Sequence, residues 1–358
     1  MQLFFNFRIF FVAMIATGNL IGLTNQEAEK AFYQGISDAK YYETPQGHQL
    51  RYAHFKSPIQ GVRNSIVFQQ GRGTFLEFYS IIIIPLLEKG FDVWMYDLSG
   101  QGCSTRLLSI EHHDEETVKC MQHIDSFDLY LQDMTAFVNN VVLPQTNGGL
   151  ILGGYSTGAH LALRYLQTEE NHPFQSAFLI SPLLLLKMPL YNRLSNNLLW
   201  FVSYFFDLKK YCIGAGHIDP IFLTSFEDNG YTSDERGYKE MKELCKQYPA
   251  HVMGGISWGW LRAATESIRH LWTKNSINKI SIPVMLMTGE KDTIVDIRFN
   301  TNFSKRLKQC THIIFSEGRH ELFRETPEIK EVFWKELTAF LSPPFPLSEE
   351  YSRLNDQI

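Results

Sequence analysis

The run from Gly148 to Leu163 constrains this chain more than any other stretch. Its first half, Gly148-Gly149-Leu150-Ile151-Leu152-Gly153-Gly154, is apolar and glycine-rich, the pattern of a short buried strand. The Ala/Leu-rich run after Gly158 reads as a helix, so Ser156 falls on the sharp turn between the two, the setting of a nucleophile elbow. Such a turn strains the serine backbone, and a side chain at either flanking position would collide with the neighbouring strand or helix. Glycine at 154 and 158 removes both collisions. The G-x-S-x-G pattern alone arises by chance in about one chain in ten of this length. Its position at a strand-to-helix junction is what gives it weight.

The strand-length apolar runs on either side alternate with helical stretches. A hairpin is expected first, from Ala39–Thr44 through a turn at Pro45-Gln46-Gly47 to Gln49–Phe55. Ser65–Phe68 is followed by a helical stretch from Phe75 to Lys89, and Phe91–Tyr96 by one from His123 to Val142. After the elbow come Ala177–Ile180, then Pro283–Thr288 and Thr311–Phe315, with a last helix from about Thr326 to Leu341. Alternation of this kind predicts an α/β fold with a mostly parallel central sheet covered by helices on both faces. Active groups then collect at the carboxyl ends of the strands.

That rule places the partners of the serine, which should follow it in chain order on loops after later strands. Asp292 stands at the end of the strand Pro283–Thr288, in the loop Gly289-Glu290-Lys291-Asp292. Asp296 is its rival, but it precedes a helix expected over Ile297–Leu307 and reads as that helix's N-cap. Of twelve histidines, His320 is the one that follows the last strand and precedes the last helix. His160 and His312 lie within elements, where packing accounts for them. An oxyanion site needs two backbone donors. The amide of Thr157, directly after the serine, is one; the other is assigned to Arg72, in the loop Gln69-Gln70-Gly71-Arg72-Gly73-Thr74 after a central strand.

Composition excludes several classes. A net charge of −5, from 33 basic and 38 acidic residues with no long basic run, argues against a nucleic-acid partner. Cys103, Cys120, Cys212, Cys245 and Cys310 are scattered, with no C-x-x-C pair, so no metal site and no disulfide framework is indicated. Free thiols are the preferred reading over a Cys212–Cys245 pair. Met1–Leu23 carries one charge, Arg8, ahead of the apolar run Ile9–Ala16. It reads as a signal peptide or as an N-terminal membrane-associated segment, with an ordinary core helix as the third reading. The run is shorter than the ~20 residues a spanning helix needs. An exported or membrane-associated location, periplasmic or peripheral to an inner membrane, is therefore expected ahead of a cytoplasmic one.

Several segments carry a family likeness. These are Gly71-Arg72 with Phe75, Glu77 and Tyr79, then Tyr96 to Ser104, His123 to Asp128 with Tyr130 and Asp133, Gly254 to Leu261, and Gly318 to Leu322. Together they resemble the bacterial lysophospholipase and monoacylglycerol lipase family of α/β-hydrolases, over about Phe32 to Leu341. The chain departs from that family at Gln70, Thr74, Tyr155 and Thr157. The resemblance implies an α/β-hydrolase core over residues 32–182 and 274–345, with an inserted helical lid over 183–273. Within the insertion, Leu198–Phe206 is too apolar all round for an ordinary exposed helix. Either it packs on the core, or Trp200, Phe201, Phe205 and Phe206 line an acyl cleft and touch membrane. The expected activity is that of a serine carboxylic-ester hydrolase acting on a single-chain lipid through Ser156, His320 and Asp292, with no metal or organic cofactor. A peptidase or thioesterase with the same triad, and a non-catalytic binding protein on the same fold, remain as alternatives.

Overall fold

The computed structural model describes residues 22–61, 64–187, 193–218 and 220–342. The segment 1–23 expected to be a signal or anchor therefore lies, up to residue 21, outside the described residues. The described chain opens on helix α1 (Gly22–Ser37), which no sequence signal announces. Its Phe32 ring stacks on Phe55 at 5.0 Å and docks it on the first hairpin. That hairpin is β1 (Lys40–Glu43) and β2 (Gln49–Phe55), with Lys40 opposite Tyr52.

Then follow β3 (Ser65–Gln69), α2 (Ser80–Glu88), β4 (Asp92–Tyr96), α3 (Glu115–Cys120), α4 (Phe127–Phe137), β5 (Leu150–Tyr155), α5 (Thr157–Thr168) and β6 (Phe174–Ile180). Between β6 and β7 the chain inserts α6 (Arg193–Val202), α7 (Pro220–Leu223), α8 (Glu235–Gln247), α9 (Trp258–Leu271) and the short α10 (Lys274–Ile277). The closing elements are β7 (Val284–Gly289), α11 (Ile297–Ser304), β8 (Cys310–Phe315) and α12 (Pro327–Leu341).

The eight strands form one sheet in the order β1-β2-β4-β3-β5-β6-β7-β8. All pairings from β4 to β8 are parallel, and β1 and β2 add an antiparallel edge. The central strands β3, β5 and β7 are buried along their whole length, which explains why they read as apolar runs rather than alternations. Their side chains still alternate between faces. Val67, Leu152 and Leu286 join Phe137, Leu163 and Trp260 from α4, α5 and α9. Ile66, Phe68, Ile151 and Met287 join Ile83, Leu86, Phe333 and Leu337 from α2 and α12. This is the α/β-hydrolase fold, with helices on both faces.

Two helices begin later than their sequence pattern suggests. The stretch from His123 turns helical only at Phe127, because the Ser126 side chain caps it by accepting from the Asp128 amide. The stretch from Phe75 runs first through a 3-10 turn, Leu76–Tyr79, before α2. Asp296 caps α11 as expected, accepting from the Arg298 amide, although that helix ends at Ser304 rather than Leu307. None of the five cysteines is in a disulfide, so Cys212 and Cys245 do not pair.

Candidate active site

The site begins with the backbone at Ser156. The residue has φ 53° and ψ −114°, a left-handed conformation that an L-residue holds only at a cost on the order of 1–3 kcal/mol. It persists because the main chain is tied on both sides: the Ser156 amide donates to the Ile180 carbonyl, and the Ser156 carbonyl accepts from the amides of His160 and Leu183. The flanking glycines are required sterically. A Cβ on Gly154 would stand 2.8 Å from the backbone of Ala159 on α5, and one on Gly158 would lie 2.2 Å from the Gln69 carbonyl oxygen at the end of β3.

The structure brings the three expected residues together. His320 Nε2 stands 2.9 Å from Ser156 Oγ, and His320 Nδ1 stands 2.6 Å from Asp292 Oδ2. Both side chains of the His–Asp pair are almost wholly buried. The other Asp292 oxygen accepts from the amides of Ile294 and Val295, at 2.7 and 3.0 Å. An ionised carboxylate accepts only, so Nδ1 carries the proton that it receives and Nε2 is free to accept from the serine hydroxyl. Ser181, also at positive φ, donates from its hydroxyl to the His320 carbonyl and anchors the histidine loop to the end of β6.

The loop after β3 is held so that one amide points free. The Gly71 amide donates to the Tyr79 hydroxyl and the Gly73 amide to Gln101 Oε1, both at 2.6 Å. The Arg72 amide between them has no acceptor among the described residues, and neither has the Thr157 amide that opens α5. Just downstream, Arg51 is clamped to Glu77 at 2.5 Å, and the Leu76 amide donates to Asp97. Burial works to raise the Glu77 carboxyl, but hydrogen bonds from His251 and Arg51 outweigh it and hold the group down at about 2.

A cleft opens beside Ser156, with about 560 Å³ of empty space counting its open mouth. Phe78, Ile221, Met241, Cys245 and Ile294 supply an apolar wall; Arg72, His320 and Glu321 are its basic and acidic side chains. Glu321 is buried, accepts from the Tyr155 hydroxyl at 3.2 Å and pairs with Arg324 at 3.1 Å. Burial raises its carboxyl above the usual range, and Arg324 opposes that rise.

The expected acyl-lining residues are not at this cleft. Trp200 is half-buried under Arg269, whose guanidinium lies 4.2 Å from the ring. Phe201 and Phe205 are 55% and 73% exposed, and Phe206 stacks on Trp258 at 3.9 Å. The cause is the seat of α6, which packs along α9 rather than over the carboxyl ends of the strands. The residues that do reach the cleft from the insertion come from α7, α8 and, with Tyr231, the loop between them. Tyr238, Met241 and Cys245 form the buried stripe of α8, and their helical spacing is the signal that would have found them. His160 and His312 are structural: His160 pairs with Ser267 at 2.7 Å, and burial depresses it to about 3, so it is neutral at ordinary pH.

Other segments of the family likeness meet in space away from the chemistry. The Gln122 side chain donates to the Gly254 carbonyl, His123 Nδ1 lies 2.9 Å from Ser257 Oγ, and Ser99 donates to Asp133 at 2.6 Å. The first two fasten the insertion and the start of α9 to the core, and the third ties the loop after β4 to α4. Among the described residues there is no cluster of His, Cys, Asp and Glu able to hold a metal, and no helix is long and apolar enough to cross a membrane.

Comparison with known proteins agrees with this architecture. The chain is 25% identical over 305 residues to a probable lysophospholipase L2 of Haemophilus influenzae, covering 85% of this chain and 91% of that one. It is 21% identical to lysophospholipase L2 of Escherichia coli strain K12, covering 88% of each. Among solved structures, a soluble variant of the monoglyceride lipase of Saccharomyces cerevisiae bound to a substrate analogue superposes with a TM-score of 0.63 at 19% identity, covering 85% of this chain and 94% of that one. The monoacylglycerol lipase of Paleococcus ferrophilus gives 0.59 at 20% identity, covering 82% and 98%. The family described as "Serine aminopeptidase, S33" matches residues 60–327, three quarters of the chain, and the protein belongs to that family of α/β serine hydrolases.

Proposed function

We propose that the chain hydrolyses carboxylic esters of single-chain lipids, of the lysophospholipase or monoacylglycerol lipase type. The observation that carries this reading is the cleft, in which the Ser156–His320–Asp292 chain of hydrogen bonds meets a wall of Phe78, Ile221, Met241, Cys245 and Ile294. Ser156 Oγ attacks the ester carbonyl while its proton passes to His320 Nε2. The amides of Arg72 and Thr157 hold the oxyanion, and Asp292 stabilises the imidazolium. Collapse of the tetrahedral intermediate expels the alcohol, which takes the proton from Nε2. Water, deprotonated by the same nitrogen, then releases the fatty acid from the serine.

Aminopeptide hydrolysis is the second reading, because the family carries that name. The charges at the cleft disfavour it. An α-amino group needs a free carboxylate, whereas Glu321 is already engaged by Arg324 and Tyr155, and Arg72 repels a cation. A panel of lysophospholipids, monoacylglycerols, acyl-CoA and aminoacyl amides at equal concentration tests this. Preferential cleavage of the lipid esters is expected, and preference for the amides or the thioester would reverse the assignment.

The apolar wall gives a sharper prediction. Each methylene added to a p-nitrophenyl ester should contribute up to about 0.8 kcal/mol until the cleft is full, so kcat/KM should climb from acetate and then level off. Met241→Trp, which fills the wall, should cut that climb short while acetate hydrolysis stays within a few fold. A flat wild-type profile would count against a lipid cleft.

Membrane contact is part of the same reading. Leu198, Phe201, Tyr204 and Phe205 expose an apolar patch on α6 and the turn after it, with Arg262 over the Tyr204 ring. Such a patch suits the headgroup boundary of a bilayer. The basic-then-apolar segment before residue 23 supports an exported or membrane-associated location. Phe201→Ser with Phe205→Ser should lower co-sedimentation with anionic vesicles several-fold; unchanged binding would remove the patch from the account.

A further inference from the structure

Arg72 has two chemical groups at this site, and the reaction uses one. Its amide is fixed between the tethered amides of Gly71 and Gly73, and the residue, partly exposed, borders the cleft beside Ser156. Among the described residues the guanidinium pairs with no carboxylate; its contact is the face of Trp260, 5.8 Å from the ring centroid. The other basic and acidic side chains of the cleft are compensated: His320 by Asp292 at 2.6 Å, and Glu321 by Arg324 at 3.1 Å. Of the charged side chains that line the cleft, Arg72 is therefore the one that the described residues leave without a counter-ion.

Its position relative to the apolar wall matters as much as its charge. Phe78, Ile221, Met241 and Cys245 belong to the hydrophobic cluster on one face of the sheet, whereas Trp260, on which Arg72 rests, belongs to the cluster on the other. Ser156 stands between them at the end of β5. An ester whose acyl chain lies along the apolar wall extends its alcohol toward Arg72. A planar guanidinium matches two phosphate oxygens at once, and such charge-assisted pairs are among the stronger hydrogen bonds.

We infer that the Arg72 guanidinium recognises a phosphodiester one glycerol unit away from the scissile ester, so that the site favours lysophospholipids over neutral monoacylglycerols. This rests on the ester-hydrolase reading above. It assigns Arg72 a specificity role separate from the donation by its own amide, which any residue but proline retains at position 72.

The test compares two monomeric substrates of one chain length, a lysophosphatidylglycerol and a monoacylglycerol, with wild type, Arg72→Gln and Arg72→Lys. The readout is the ratio of kcat/KM for the phosphodiester to that for the neutral lipid, so a common effect on turnover cancels. Arg72→Gln should lower the ratio at least about tenfold, the scale of one charge-assisted hydrogen bond, with the change in KM rather than kcat. Arg72→Lys should recover part of it, and added salt should lower the wild-type ratio. The same comparison with lysophosphatidylcholine separates recognition of the phosphodiester from attraction to net negative charge. A fall confined to lysophosphatidylglycerol would overturn the assignment to phosphate. A ratio within twofold of wild type in both variants would overturn the inference while leaving the hydrolase reading standing. A wild type that cleaves neither lipid would remove both.

Discussion

Ser156→Ala should abolish turnover and leave a folded protein. By analogy with triad knockouts the catalytic constant should fall on the order of a millionfold. The fold should survive because every bond that shapes the elbow uses the main chain: Ser156 N to Ile180, and Ser156 O from His160 and Leu183. Alanine keeps all three and keeps Gly154 and Gly158, whose missing Cβ atoms let strand and helix meet. What is lost is the hydroxyl bonded to His320 Nε2, which leaves a buried ring nitrogen unpaired at a cost of about 1–3 kcal/mol. A fluorophosphonate probe should label the wild type and not the variant, while their circular dichroism spectra coincide. Retention of a tenth of the activity, or labelling of the variant, would mean another residue is the nucleophile, and a wild type that takes no label would favour a binding protein.

How far the sequence could be read follows from which features are local. The elbow was legible because its constraint is: two glycines and a serine between an apolar strand and an Ala-rich helix leave few other structures. Asp292 and His320 were legible for a topological reason, since a parallel sheet delivers the loops after β7 and β8 to the same edge as Ser156. Asp296 was separable from Asp292 because a helix start has its own signature, and the capping bond is there. The cleft wall was not legible in the same way. Leu198–Phe206 is rich in aromatic residues, but composition cannot say which surface covers a helix, and the packing of α6 along α9 leaves Phe201 and Phe205 facing outward. The insertion's share of the wall comes instead from α7 and α8, the latter a mostly polar helix whose apolar stripe is short. The orientation of Arg72 depends on Tyr79 and Gln101, which reach the loop from elsewhere in the chain.

Asp292→Asn is the sharper test of the site, because its expected effect comes from one proton. In the wild type, Asp292 Oδ1 accepts from two backbone amides, those of Ile294 and Val295, and Oδ2 faces His320 Nδ1. Asparagine has one oxygen to offer. The two fixed amides claim it, so the NH2 group turns toward His320 Nδ1. A donor there requires Nδ1 to be the bare nitrogen and moves the ring proton to Nε2, which then cannot accept from the serine hydroxyl. The rate should fall roughly four orders of magnitude while substrate affinity and fold are kept. Asp296→Asn supplies the contrast four residues on. Asp296 caps α11 and pairs with Arg298, whose side chain is 66% exposed. Asparagine caps as well as aspartate, and although Asp296 is itself buried, Arg298 keeps its charge in water when the pair is lost, so the change bears on the stability of α11 and activity should stay near wild type. If Asp296→Asn were the crippled variant and Asp292→Asn the silent one, the carboxylate that orients His320 in solution would be the other one, and the loop after β7 would have to rearrange during turnover.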